Sequence, residues 1–77
     1  MTQTEIDNIF TYHAPNGSQI TRYAGLRKTG KALAELIELY CPESREKSLA
    51  ITNLQQTIMW ANAAIAINEK EMAETLA

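Results

Sequence analysis

The stretch LAITNLQQTIMWANAAIAIN, residues 49–68, carries no charged residue. Its apolar positions recur at helical spacing: Ile51, Leu54, Ile58, Ala61 and Ile65, continued by Met72, trace one heptad-like seam. A second apolar set, Met59, Trp60, Ala63, Ala66 and Ile67, lies off that seam. From Ile58 to Ile67 only Asn62 is polar. A single partner helix covers one stripe, so a helix that is apolar nearly all round must be covered elsewhere too. The alanines at 61, 63, 64 and 66 allow other helices to come close. The expected setting is the core of a homo-oligomer, because a soluble monomer seldom tolerates so large a bare apolar patch.

Moving toward the N-terminus, Cys41-Pro42-Glu43 breaks the chain into two helices. Proline disfavours the α region for Cys41 and suits the first turn of a new helix. The second long helix is therefore predicted from Pro42 or Ser44 to Glu74, with Glu43 and Glu46 in the first turn, where the helix dipole favours acids. Ahead of the break, Ile20, Tyr23, Ala24, Leu26, Leu33, Leu36, Ile37 and Tyr40 follow a 3–4 spacing, which predicts a helix over 19–40 with Ser18 as its N-cap. Gly30 interrupts it at a cost of roughly 1 kcal/mol relative to alanine. Such a glycine lets either another helix or a ligand approach the backbone. The short connection makes the two helices antiparallel neighbours. Residues 1–17 read as an arm. Thr2 and Glu5 have capping-box spacing for a helical turn over 4–9, the segment IFTYH (9–13) has extended character, and Pro15-Asn16-Gly17 signals a turn. The predicted fold is all-α and a single domain: an N-terminal arm (1–17) and an antiparallel two-helix hairpin (18–77), assembling into a compact helical homo-oligomer.

Length supports the same conclusion. A chain of 77 residues buries only about 60% of its unfolded surface and usually needs disulfides, a metal or other subunits. One cysteine, Cys41, and one histidine, His13, exclude an intrachain disulfide and a structural zinc cluster. Self-association remains. Hydrophobic residues at 45% and charged residues at 21% exclude disorder by composition. No apolar run reaches the roughly 18 residues of a membrane span. The opening MTQTEIDNIF has no basic residue before an apolar stretch, so no signal peptide is expected. A lone cysteine fits a reducing cytoplasm.

The net charge of −2 hides an uneven distribution. Arg22, Arg27, Lys28 and Lys31 fall in one acid-free window, which leaves three basic residues against nine acidic ones elsewhere. That balance disfavours duplex DNA, whose binding scales with basic contacts, and favours something small and anionic. Catalysis is poorly supplied: no metal-ligand spacing, no glycine-rich phosphate loop, and nothing in sequence to orient His13 as a base. No cofactor is expected. Binding is better supplied. Phe10, Tyr12 and His13 offer ring faces that stack on nucleobases, worth roughly 1–3 kcal/mol per base. Arg27 and Lys31 share a helix face, Lys28 lies beside them, and Thr29 adds a hydroxyl. An aromatic arm against a basic helix face makes a pocket for a small nucleotide. The bland alternative is that the aromatics staple the arm to the hairpin and the cations form a solvated face. A different class, a helical DNA-binding or protein-interaction module using the basic face of 19–40, stays open on the residues alone.

Four stretches taken together carry a resemblance: IFTYHAP (Ile9–Pro15), RYAGLR (Arg22–Arg27), CPESREKSLAITNL (Cys41–Leu54) and MWANAAIAINE (Met59–Glu69). Over residues 9–69 the chain resembles the phage anti-CBASS cyclic-nucleotide sponges, whose hairpin domain recurs in a Thoeris anti-defence sponge. The resemblance implies binding of cyclic dinucleotides such as cyclic GMP-AMP in the cytoplasm of the infected bacterial host. The messenger is withheld from its effectors and not cleaved. It also implies a helical hexamer with ligand pockets between protomers. By the family's pattern the dinucleotide pocket uses Tyr12 and a basic residue that maps to Arg27, assisted by Lys28 or Lys31. Some members hold cyclic trinucleotides in a second pocket, where Thr29 fits the threonine position. Some members also carry an arginine near the end of the MWANAAIA segment. Here Ile67 and Asn68 stand there, a departure from the pattern.

Overall fold

The computed structural model describes residues 1–69. Within them the order is α1 (Gln3–Ile9), α2 (Gly17–Tyr40) and α3 (Arg45–Asn68), with no strand. The short helix expected at the start is present. Thr2 caps α1, its hydroxyl accepting from the Glu5 N–H at 3.1 Å. The IFTYH segment is not extended at its start, however. Phe10 caps α1 at φ −99° and ψ 8°, and its N–H donates to the Ile6 carbonyl. Helix-end carbonyls needing donors here outweigh the β-propensity of the side chains.

Helix α2 begins two residues earlier than expected, and its cap is Asn16, not Ser18. Asn16 Oδ1 accepts from the Gln19 N–H at 3.3 Å, and Gln19 Oε1 accepts from the Asn16 N–H at 3.2 Å. A glutamine at the third helical position completes this reciprocal box, which Ser18 with Thr21 cannot do. Helix α2 ends at Cys41, whose ψ of 135° is the extended conformation that the following proline demands. Pro42 and Glu43 belong to the connection and not to the first turn of α3, which is capped by Ser44 and opens at Arg45. Ser44 Oγ accepts from the Lys47 N–H at 3.1 Å. Glu46 lies in the first turn as expected. The predicted continuation to Met72 and Glu74 lies outside the described residues.

Lys47 fixes the hairpin turn. Its side chain is 6% exposed, and Nζ donates to the Glu38 carbonyl at 3.1 Å while pairing with Glu43 Oε1 at 2.6 Å and Glu38 Oε2 at 3.1 Å. A cation reaching from α3 to the last turn of α2 satisfies an orphan carbonyl there and complements the α2 dipole.

The two long helices pack on each other, and the apolar pattern of α2 divides. Tyr23, Leu26, Gly30, Ala34 and Ile37 are buried or partly buried, at spacings of three and four. Ile20, Ala24, Leu33, Leu36 and Tyr40, read from sequence as the same stripe, are exposed. On α3 the seam of Ile51, Leu54, Ile58, Ala61 and Ile65 is partly buried, and so are Ala63, Ala66 and Ile67 of the second apolar set, while Met59 and Trp60 are 62% and 73% exposed. Gly30 marks the closest approach. A Cβ built there would stand 2.9 Å from Cγ1 and 3.0 Å from Cδ1 of Ile58. Of the two readings of this glycine, close helix packing is what the hairpin uses.

The folded chain is one helix thick, with principal extents of 47 × 29 × 14 Å. Its radius of gyration is 16.0 Å, against about 11.5 Å for a compact chain of this length. No hydrophobic side chain among the described residues is fully buried. A two-helix layer has one contact line and no interior.

Candidate functional site: a groove with two cations and two exposed aromatic rings

The antiparallel helices leave an open groove of about 480 Å³ on one face of the hairpin. Helix α2 contributes Arg27, Gly30, Lys31 and Ala34, and α3 contributes Ile51, Leu54, Gln55, Ile58 and Met59. The side-chain-free Gly30 lies between Arg27 and Lys31, one residue short of the i, i+4 pair they form. The floor is apolar and the α2 rim is cationic, a combination that suits a small anionic ligand with an apolar face.

Among the residues singled out in sequence, the structure brings Arg27 and Lys31 to this groove. Lys28 and Thr29 are exposed on α2 and do not line it. Phe10 and Tyr12, 83% and 84% exposed, do not line it either. His13 is partly buried, and its Nε2 lies 2.7 Å from the Asn8 carbonyl oxygen. The arm therefore presents its two aromatic rings to solvent and does not fold them over the groove of its own chain.

The fourth cation of the basic window has another task. Arg22 grips Glu69 with two parallel bonds, Nη1 to Oε2 at 2.6 Å and Nη2 to Oε1 at 2.5 Å. Gln19 Nε2 reaches the same carboxylate at 3.5 Å. The Arg22 bonds hold the Glu69 carboxyl below its ordinary range, and the same bonds raise the guanidinium. The cationic patch is thus three residues, Arg27, Lys28 and Lys31. Sequence could not pair positions 47 residues apart.

Asn8 also carried no signal in sequence. Its Nδ2 donates to the Ile67 carbonyl at 3.1 Å, tying α1 to the last turn of α3. The groove wall on α3 was legible only as seam, because Gln55 and Met59 sit beside seam residues that packing alone explains. Among the described residues no group of three or more His, Cys, Asp or Glu side chains could hold a metal ion, and no helix is long and apolar enough to cross a membrane.

Comparison with known families agrees with this hairpin architecture. The family model described as Acb2/Tad1, hairpin domain, matches residues 2–66, which span α1, α2 and nearly all of α3. Neither curated proteins nor solved structures gave a match.

Proposed function

The chain belongs to the Acb2/Tad1 hairpin-domain family, the anti-CBASS and anti-Thoeris sponges, and from that premise we propose that it sequesters cyclic dinucleotide immune messengers without cleaving them. Cyclic GMP-AMP is the model ligand. The observation that carries the reading is the pairing of a cationic groove with two rings that its own chain leaves uncovered. Stacking and phosphate pairing are the two interactions a cyclic dinucleotide needs, and one protomer keeps them apart.

A second copy of the chain brings them together. In the proposed assembly, a homohexamer, Tyr12 stacks on a base and Arg27 pairs with a phosphate, with Lys31 on the same rim and Lys28 alongside. Phe10 extends the aromatic surface. At a two-fold interface two tyrosines and two arginines meet two bases and two phosphates, so the symmetry of the dimer matches that of the ligand. Sequestration needs affinity and copy number, not turnover, so no residue is assigned a catalytic role. The site of action is the cytoplasm of the infected bacterial host. Thr29 stands free on α2 for a trinucleotide pocket, but Ile67 and Asn68 offer no guanidinium for a third phosphate, which makes dinucleotides the preferred class.

The DNA-reading alternative loses one of its four cations to Glu69. Calorimetry with cyclic GMP-AMP tests the proposal directly. Tight binding is expected, and heating the complex should release chemically intact ligand. Tyr12→Ala and Arg27→Ala should each weaken binding by tenfold or more, in line with about 1–3 kcal/mol per stacked base and charge-assisted pair. Light scattering should show the oligomer unchanged. Hydrolysed ligand, or normal binding by both variants, would refute it.

A further inference from the structure

We propose that His13 is a positioning residue for Tyr12, not a ligand contact, and that the end of α1 is the frame that presents the tyrosine ring. This rests on the role of Tyr12 given above. The last turn of a helix leaves carbonyls without intrahelical donors. In α1 they are taken in order. The Ile6 carbonyl accepts from the Phe10 N–H at 3.2 Å. The Asp7 carbonyl accepts from the Thr11 hydroxyl. The Asn8 carbonyl accepts from His13 at 2.7 Å. The residues on either side of Tyr12 are therefore both tied back to the same helix end by their side chains, while the Tyr12 ring stays 84% exposed.

The frame is itself anchored. Asn8, whose carbonyl receives His13, sends its side-chain Nδ2 to the Ile67 carbonyl of α3 at 3.1 Å. A path of hydrogen bonds thus runs from α3 through Asn8 to His13 and stops one residue from Tyr12. Because the partner atom is a carbonyl oxygen, the His13 Nε2 must carry a hydrogen and donate. His13 is partly buried, unlike its exposed neighbours Thr11, Tyr12 and Ala14. A ring so engaged is poorly placed to stack on a base, but it fixes the backbone of the residue that does. Holding Tyr12 in place before the ligand arrives removes part of the ordering cost of binding.

The test uses the full chain. His13→Ala should weaken cyclic GMP-AMP binding roughly three- to tenfold, the worth of one ordering hydrogen bond, with the oligomer intact by light scattering. His13→Gln should restore binding to within about twofold, since the glutamine amide donates at a similar reach. His13→Leu replaces the alanine variant if that one fails to assemble. In the ligand-free protein, the ¹⁵N order parameter of the Tyr12 amide should fall in the alanine or leucine variant and recover in the glutamine variant. A loss that glutamine fails to rescue would mean that the ring itself touches ligand, and an unchanged order parameter at Tyr12 would mean that His13 holds nothing; either result overturns the proposal. If Tyr12→Ala binds normally while the order parameter still follows the donor at position 13, the pocket assignment fails and the positioning role stands.

Discussion

Arg22 and Arg27 stand five residues apart on α2 and look interchangeable in sequence, yet they are committed to different partners. Arg22 is spent on Glu69, whereas Arg27 stays on the groove. Arg22→Ala should therefore leave ligand affinity near that of the parent and loosen the junction of α2 with the end of α3. The junction also has a pH signature. Glu69 ionises below its ordinary 4.5 because Arg22 holds the charged form. Its contribution is fully present above 4.5 and is lost as the pH falls through the lowered folded value. Lys47 is the mirror case. Glu43 and Glu38 raise it above 10.5, so its contribution is full below 10.5 and fades as the pH rises through the raised value. Melting temperature followed against pH should thus be flat near neutrality and drop at both ends. Glu69→Gln should flatten the acid limb, and Lys47→Met should flatten the alkaline limb. A limb unchanged by its substitution would remove that residue from the account.

At the scale of elements, the hairpin depends on Gly30. Alanine there gains roughly 1 kcal/mol of helix propensity, but its Cβ would meet Ile58 Cγ1 at 2.9 Å. Overpacking of that kind costs about 1–3 kcal/mol, so Gly30→Ala should destabilise by about 1 kcal/mol net. In an Ile58→Ala background, which deletes both Cγ1 and Cδ1, the penalty should shrink or reverse. Urea titration of the four members of the cycle measures the coupling, and strict additivity would show that the contact does not limit packing. The three helices and the break at Cys41-Pro42 were legible in sequence, since periodicity and proline act locally. The seam on α3 was legible for the same reason. The division of α2 into an inner line through Tyr23, Leu26 and Ile37 and an outer line through Ile20, Leu33 and Leu36 was not. Both lines have helical spacing, and which one turns inward is settled only in the packed hairpin, where Gly30 meets Ile58. Of the candidate site, Arg27 and Lys31 were legible as an i, i+4 pair. The capture of Arg22 by Glu69 and the hold of Asn8 on Ile67 were not, because the first pair meets only when the hairpin closes and the second only when α1 docks on α3.

For the whole molecule, the decisive property is what a layer 14 Å thick leaves uncovered. Trp60 is 73% exposed, beside Met59 at 62%, on the helix whose other side packs on α2. An aromatic side chain buries 150–250 Å² when covered, and at about 25 cal/mol per Å² covering the exposed part of Trp60 alone stabilises an assembly by roughly 3–4 kcal/mol per copy. In the proposed oligomer this surface is interior, so a charge there must be desolvated at a cost of several kcal/mol. Trp60→Glu should therefore give a monomer by light scattering. Helicity should fall as well, because the hairpin has no apolar core of its own to retain it. The same variant should lose cyclic GMP-AMP, although Trp60 belongs to neither the groove lining nor the arm. Loss of ligand without dissociation would place Trp60 at the ligand instead. Dissociation with binding retained would show that one protomer can bring Tyr12 and Arg27 together. If the two losses occur together, the pocket belongs to the assembly, and ligand in turn should hold the assembly together, raising its melting temperature with ligand concentration as mass action requires.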